Sequence, residues 1–536
     1  MAPLYRQIAD RYLDAIRSGA LASGSRFPSV RRLMGEHQVS MSTALSVCRQ
    51  LEADGWLEAR PRSGYYVHRP ARMGMAPVTE PAREARPAPP DYVGIHARVS
   101  SILARAETAT ITVDFAKAVA APDAYPVDAL SRLMQRQLRL RPQILSTMTR
   151  RHAHPQLRQA LAEHAVSRGA ALRPDEIVVT HGCTEAVNLA LRAVTRPGDT
   201  VAVESPTFYG LLQILESLGL RALEIPTSPT TGLSLEALQF ALEHHAPIDG
   251  DADPGRAPDA AAAAPSLIPS PTSVPSPSSA PSPSPVPSPS TAPPPSSAPP
   301  SPSRIRALVT MPTLHNPLGC SMPDPRKARL VALCARHGVA IIEDDIYGEM
   351  TATGEGGASP RILKSFDDGD TVIHCSSLNK SLAPGLRLGW MAAGRWQDRV
   401  EMLKYSQSRF SEELAQVAAA QFMLSPGWPR HLHRLRERLA RQRLAMADAV
   451  SAHFPAGTRL SLPDGGLLLW LQLPPPIDGH ALFERALEHG IKLLPGAMFS
   501  NAARFDAFVR LSCGQAWSPT VDEALRTLGR IAHELA

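Results

Sequence analysis

Lysine is scarce in this 536-residue chain: there are six among 56 basic residues, so arginine carries nearly all of the positive charge. Paired cysteines are missing as well. Cys48, Cys183, Cys320, Cys334, Cys375 and Cys513 are scattered with no CxxC spacing, which argues against a zinc site or a disulfide framework and leaves free thiols and no metal as the expectation. No apolar run approaches the roughly 18 residues of a membrane span. The opening MAPLYRQIADRYLDAI carries acids and arginines through its apolar positions, unlike a secretory leader. A cytoplasmic protein with no membrane partner is expected. What the chain does have is apolar content, 44% of a length too great for one ordinary domain, so two or more domains and a large core are expected.

The formal charge of +6 is unevenly spread, since residues 1–70 hold ten arginines, no lysine and six acids. That bias suits a polyanion partner, although a bias of this size is also common on solvated surfaces. Leu4, Ile8, Tyr12 and Ile16 recur at fourfold spacing and predict a first helix ended by Gly19. Pro28-Ser29 opens a second, with Val30, Leu33 and Met34 inward. Ser40 reads as the N-cap of a third, with Ala44, Val47 and Leu51 on its buried face and Gly55 at its end. Two short strands, residues 56–59 and 65–67, flank the basic turn Arg60-Pro61-Arg62-Ser63-Gly64.

This order describes a winged helix-turn-helix, whose third helix enters the major groove while the wing touches the backbone. Its motif blocks LYRQIADRYLDAIRSGAL, GSRFPSVRRL, VSMSTALSVCRQLEADGWL and RPRSGYYV resemble the GntR family of regulators, in family order. The resemblance implies Arg31, Ser40, Ser42, Thr43, Arg49, Arg62 and Gly64 as DNA-facing positions. Met41 stands where that family usually has arginine. The domain is placed at residues 1–69.

Residues 70–101, rich in Pro, Ala and Arg without apolar periodicity, read as a flexible linker. Residues 247–303 contain 19 of the chain's 52 prolines among Ser and Ala, too few apolar anchors to fold, and read as a disordered insertion in the large domain of residues 102–536. That domain alternates short apolar strands (177–180, 201–203, 307–310, 340–343, 372–374) with helices. The pattern implies a mainly parallel sheet covered on both faces, with ligands at the carboxyl ends of its strands.

The chemistry concentrates in SSLNKSLAPGLRLG, residues 376–389, where Lys380 is flanked by hydroxyls and followed by Arg387. A lysine there suits an amine that forms a Schiff base, if burial and positive charge depress its basicity; a surface lysine in a Gly/Pro loop is the plain alternative. Gly182-Cys183-Thr184 joins a strand to a helix, where free N–H groups can hold a phosphate. Residues 376–389 resemble the pyridoxal-phosphate lysine region of fold-type I aminotransferases, and further matches run in order along residues 102–536.

By that resemblance Phe208 stacks on the pyridine ring, Asn316 and Tyr347 bond the ring hydroxyl, and Asp344 pairs with the ring nitrogen, with Asp345 as the competing choice. Ser377 and Arg387 complete the phosphate cup, Lys380 is the catalytic amine, and Arg510 grips an α-carboxylate. The resemblance also implies a smaller C-terminal α+β subdomain and a homodimer. The segment before Leu157 lacks the family's tyrosine, which puts one cofactor contact from the neighbouring subunit in question. A GntR-like head joined to such a domain is the architecture of the MocR-type regulators. It implies a pyridoxal 5′-phosphate-dependent transcriptional regulator that binds operator DNA and senses an amino acid, an amine or the cofactor itself. A working aminotransferase with an accessory DNA-binding head is the alternative, and a cofactor-free dimerisation scaffold the third.

Overall fold

Fourfold apolar spacing at the N-terminus produces helix α1 (Leu4–Arg17), which buries Ile8 and Ile16 against α2 (Val30–His37) and α3 (Met41–Ala53). The computed structural model describes residues 4–17, 21, 25–53, 56–60, 64–67, 75–80, 86–147, 153–244, 304–351, 359–502 and 504–536. Ser29 caps α2 by accepting from Arg32 N at 3.3 Å, and Ser40 caps α3 by accepting from Thr43 N at 3.3 Å. Each satisfies an amide that the helix start leaves unpaired. The strands Leu57–Arg60 and Gly64–Val67 pair antiparallel and close this small core through Leu57 and Val67.

Parts of the expected linker, residues 70–101, are packed on the large domain. Val78 is buried, and its amide donates to Ser461 Oγ at 3.0 Å. Asp91–Tyr92 pairs with the strand Arg221–Ser228, and the helix His96–Thr108 buries Val99, Ile102 and Ala106 in the main core. Their three- and four-residue spacing makes one apolar helical face, which a boundary at residue 101 cuts in two.

The large sheet runs in the order Asp91–Tyr92, Arg221–Ser228, Thr200–Ser205, Ile305–Thr310, Ala340–Asp344, Val372–Ser377, Gly389–Ala392, Ile177–Thr180. Neighbours from Arg221–Ser228 to Val372–Ser377 are parallel, whereas Gly389–Ala392 is antiparallel to both of its neighbours. Alternate residues of one strand enter different cores: Ala307 and Val309 pack with the helix Cys183–Val194, Leu308 with Leu238 and Leu330. The mainly parallel, two-faced sheet is therefore as the sequence implies. A second, antiparallel sheet of Arg459–Leu460, Leu468–Gln472, Phe508–Ser512 and Leu494–Pro495, with the helices Gly479–Glu488 and Pro519–Glu534, forms the smaller α+β part. All six cysteines are free and buried. Among the described residues no helix is long and apolar enough to cross a membrane.

Candidate cofactor site and nucleic-acid interface

The carboxyl ends of the parallel strands open onto a cavity of ≈ 340 Å³ whose wall includes Cys183, Thr184, Phe208, Asn316, Asp344, Tyr347, Lys380, Arg387 and Arg510. Lys380 follows the strand Val372–Ser377 and lies with Nζ 6.0 Å from the centroid of the Tyr347 ring. Burial first, then the nearby guanidinium groups of Arg510 and Arg387, push its amine down from 10.5 to about 8, against the opposing pull of Asp344. The plain reading of an exposed loop lysine is thereby set aside.

Asp344 ends its strand with a buried carboxylate that accepts from Cys183 Sγ at 3.1 Å and from Ile346 N at 3.2 Å. Burial dominates and raises its pKa from 3.8 to about 6. Asp345 points elsewhere: it pairs with buried Arg168 at 3.1 Å, and Arg168 also holds Glu349 at 2.9 Å. Successive strand residues face opposite ways, so only one of the two aspartates can line the cavity.

Arg510 is 2% exposed; its Nη1 donates to Asn316 Oδ1 at 3.1 Å and its Nη2 to the carbonyl of Ala116. Phe208 precedes the helix Tyr209–Ser217, with its ring 4.8 Å from that of Tyr209. Gly182 precedes the helix Cys183–Val194 at φ 90, and Arg387 Nη2 donates to His181 O at 3.1 Å. A helix N-terminus beside a guanidinium makes a seat for an anion. The seat depends on a close backbone crossing, since a Cβ on Gly389 would stand 2.4 Å from the carbonyl carbon of Gly182.

Ser377 ties the Lys380 loop to the returning strand: its hydroxyl donates to Leu388 O at 3.0 Å and accepts from Asn379 N at 3.0 Å, and it is not among the residues lining the cavity. Among the wall residues that escaped the sequence reading are Asn379, Glu204, Asp114, Lys117 and Lys492. Asn379 is adjacent to Lys380, a proximity that could have drawn attention to it. Glu204 accepts from Thr310 Oγ1 at 2.8 Å and Met311 N at 2.7 Å, anchoring the loop that presents Asn316. The substituted segment before Leu157 includes residues 148–152, which lie outside the described residues.

The wall fits pyridoxal 5′-phosphate. It offers an amine of lowered basicity, a buried carboxylate, an aromatic face and an anion seat, and among the described residues buried Asn379 Oδ1 and Arg510 Nε have no protein partner. Buried polar atoms without partners are costly unless a ligand supplies them.

On the head, Arg31, Ser40, Ser42, Arg49 and Gly64 are exposed and Thr43 is partly so, whereas Arg62 lies outside the described residues. Ser40 Oγ lies 2.9 Å from both Ser42 Oγ and Thr43 Oγ1, so the three hydroxyls form one cluster at the start of α3. Met41, at 60% exposure, projects beside them. Gly64 has φ +98, the left-handed region the wing turn requires.

Residues 122–249 and 297–528 match the aminotransferase class I and II family, and residues 4–67 match the gntR family of bacterial regulatory proteins. The chain is 31% identical over 531 residues to the HTH-type transcriptional regulator YdcR of Escherichia coli, spanning 99% of both chains. It is 23% identical to the protein named as the rhizopine catabolism regulator MocR of Rhizobium meliloti, over 92% of this chain and 86% of that one. Among solved structures, the α-aminoadipate aminotransferase LysN of Thermus thermophilus, complexed with N-(5′-phosphopyridoxyl)-L-leucine, superposes with a TM-score of 0.65 at 23% identity, covering 82% of this chain and 96% of that one.

Proposed function

We propose, from the premise that this chain belongs to the MocR-type regulators of the aminotransferase class I and II family, that it is a pyridoxal 5′-phosphate-dependent transcription factor reporting the occupancy of its cavity to operator DNA. The observation that carries this reading is the presence, in one chain, of an intact lysine-centred cavity and a helix-turn-helix head with an exposed hydroxyl and arginine face. Pyridoxal 5′-phosphate supplies a carbonyl carbon that amines attack and a ring that withdraws electrons from the adduct.

The chain's own residues do the rest. Lys380, whose amine is neutral above about pH 8, would hold the cofactor through that carbonyl. Asp344 holds a proton on the ring nitrogen, and Cys183 holds Asp344 in place. Arg387 and the Cys183–Val194 helix start would receive the phosphate, and Phe208, Asn316 and Tyr347 would hold the ring. Arg510, fixed by Asn316 and Ala116, receives the carboxylate of an amino acid. The effector is an amino compound or the cofactor itself, and the working form is a homodimer whose two heads read repeated half-sites. Binding that differs in strength between two arrangements of the large domain shifts the balance between them, and so the placement of the heads.

Footprinting of DNA upstream of the protein's own gene, with and without pyridoxal 5′-phosphate, tests this. A protected site whose strength depends on the cofactor is expected, and no specific protection under either condition would overturn the reading. The complete set of lysine, aspartate and arginine in the cavity also supports a second reading, amino transfer. Multiple turnovers with an amino acid and a keto acid would favour it, and a single half-reaction would count against it.

A further inference from the structure

We propose that the amino compound this cavity accepts carries a second anionic group on its side chain, in the manner of an amino dicarboxylate, and that Lys492, assisted by Lys117, selects it. The inference rests on the cofactor-site reading above and names the ligand class for that same site.

Lysine is the rare cation of this chain, with six in all, yet Lys117, Lys380 and Lys492 all line this cavity. Lys380 is accounted for by the cofactor; the other two have no role in holding it. Both are built around Arg510. The segment bearing Lys117 is fixed because Ala116, one residue earlier, receives Arg510 Nη2. Asp114 bonds Ala116 N at 2.9 Å and pairs with Lys117 Nζ at 3.2 Å, so Lys117 enters the mouth partly neutralised and with its side chain 73% exposed. Lys492 comes from the other side: its strand runs parallel to Val113–Asp114, in register with Asp114, and its carbonyl accepts from Phe115 N at 2.7 Å. Two residues on, Leu494 faces Arg510 across the second sheet. Leu494, the partner of Arg510 across the sheet, lies two residues from Lys492, roughly 7 Å along an extended chain, and both cations line the one cavity, so a small dicarboxylate can face both once the lysine stem adjusts.

The charges of the wall point the same way. Glu204 is engaged with Thr310, Met311 and His315, Asp344 with Cys183 and Asp114 with Lys117, whereas Lys492 makes no ion pair among the described residues. One carboxylate on Arg510 leaves Lys492 without a counter-charge; a second one supplies it. A neutral amide at that place cannot, and the loss of a charged hydrogen bond of this kind is worth about ten-fold or more in affinity.

The test uses the full-length protein loaded with pyridoxal 5′-phosphate. Its visible absorption is followed while L-glutamate and L-aspartate, and in parallel L-glutamine and L-asparagine, are titrated in. In a second arm the melting temperature is read with glutarate, which has both carboxylates and no amine, and with butyrate, which has one. The acids are expected to saturate at concentrations at least ten-fold lower than their amides, and glutarate to stabilise where butyrate does not. Lys492→Gln is expected to erase both differences while keeping the visible absorption of the loaded protein; Lys492→Arg is expected to keep the differences, and Lys117→Gln to reduce them less. Equal saturation by acid and amide, or an unchanged ratio in Lys492→Gln, would overturn the proposal. A protein with no visible absorption and no response to any amine would overturn the cofactor reading too, an outcome distinct from a loaded protein that responds to acids and amides alike.

Discussion

Asp344 and Lys380 are each held in an environment that opposes their ordinary charge, and both are costly to the protein without its cofactor. The pKa of Asp344 is raised from 3.8 to about 6 by burial, so between those values the folded chain binds more protons than the unfolded one and stability falls as pH rises. The size of that loss is on the order of 3 kcal/mol. Asp344→Asn is therefore expected to raise the melting temperature of the cofactor-free protein at pH 7.5 while weakening pyridoxal 5′-phosphate binding; a lower melting temperature would contradict the burial argument. The amine of Lys380 is lowered from 10.5 to about 8, so the unfolded chain holds the extra proton in that window and stability rises with pH across it. The rate at which the cofactor-free protein captures pyridoxal 5′-phosphate should climb as pH rises through about 8 and then level off, followed by visible absorption. Lys380→Ala should give no such absorption, and a pH-independent rate would count against the amine. Lys380, Asn316, Asp344, Tyr347 and Arg387 were legible as cavity residues because each sits in a short run at or after a strand end, and Arg510 within a short strand, where residue type and order carry chemical meaning. The inward turn of Ser377 was not, because it depends on Leu388 offering its carbonyl across a hairpin. Lys117 and Lys492 escaped for a related reason: only the register of two short strands brings them together.

The elements that shape the cavity meet at one backbone crossing, where Gly182 at the start of a helix passes Gly389 at the start of a strand. A Cβ on Gly389 would meet backbone, which cannot swing aside as a side chain could. Gly389→Ala should cost about 3 kcal/mol or more, read as a lower denaturant midpoint, and should weaken cofactor binding because the anion seat moves. Strands of four to six residues with apolar runs, such as Ile177–Thr180 and Thr200–Ser205, were readable from the sequence. The pair Asp91–Tyr92 was not: two polar-edged residues carry no alternation, and their pairing is set by the distant strand Arg221–Ser228. The helix His96–Thr108 was hidden by the Pro- and Ala-rich run before it, although Val99, Ile102 and Ala106 mark its buried face.

At the scale of the whole molecule, the family match leaves out residues 250–296, between the helix Leu235–His244 and the strand Ile305–Thr310, which share one core cluster. Replacing residues 250–296 by a short Gly/Ser linker should leave the melting temperature and the cofactor absorption unchanged, because the entropy of joining two fixed chain ends depends only weakly on the length between them. A loss of either would assign the segment a structural part. The central claim is that one chain couples the cavity to DNA, and the most direct test is the affinity of the full-length protein for its operator. That affinity is measured by fluorescence anisotropy for the wild type and for Lys380→Ala, each with pyridoxal 5′-phosphate, before and after addition of L-glutamate. The wild type is expected to change affinity on addition of the amino acid and Lys380→Ala is not; identical behaviour of the two proteins, whether both shift or neither does, would contradict the coupling.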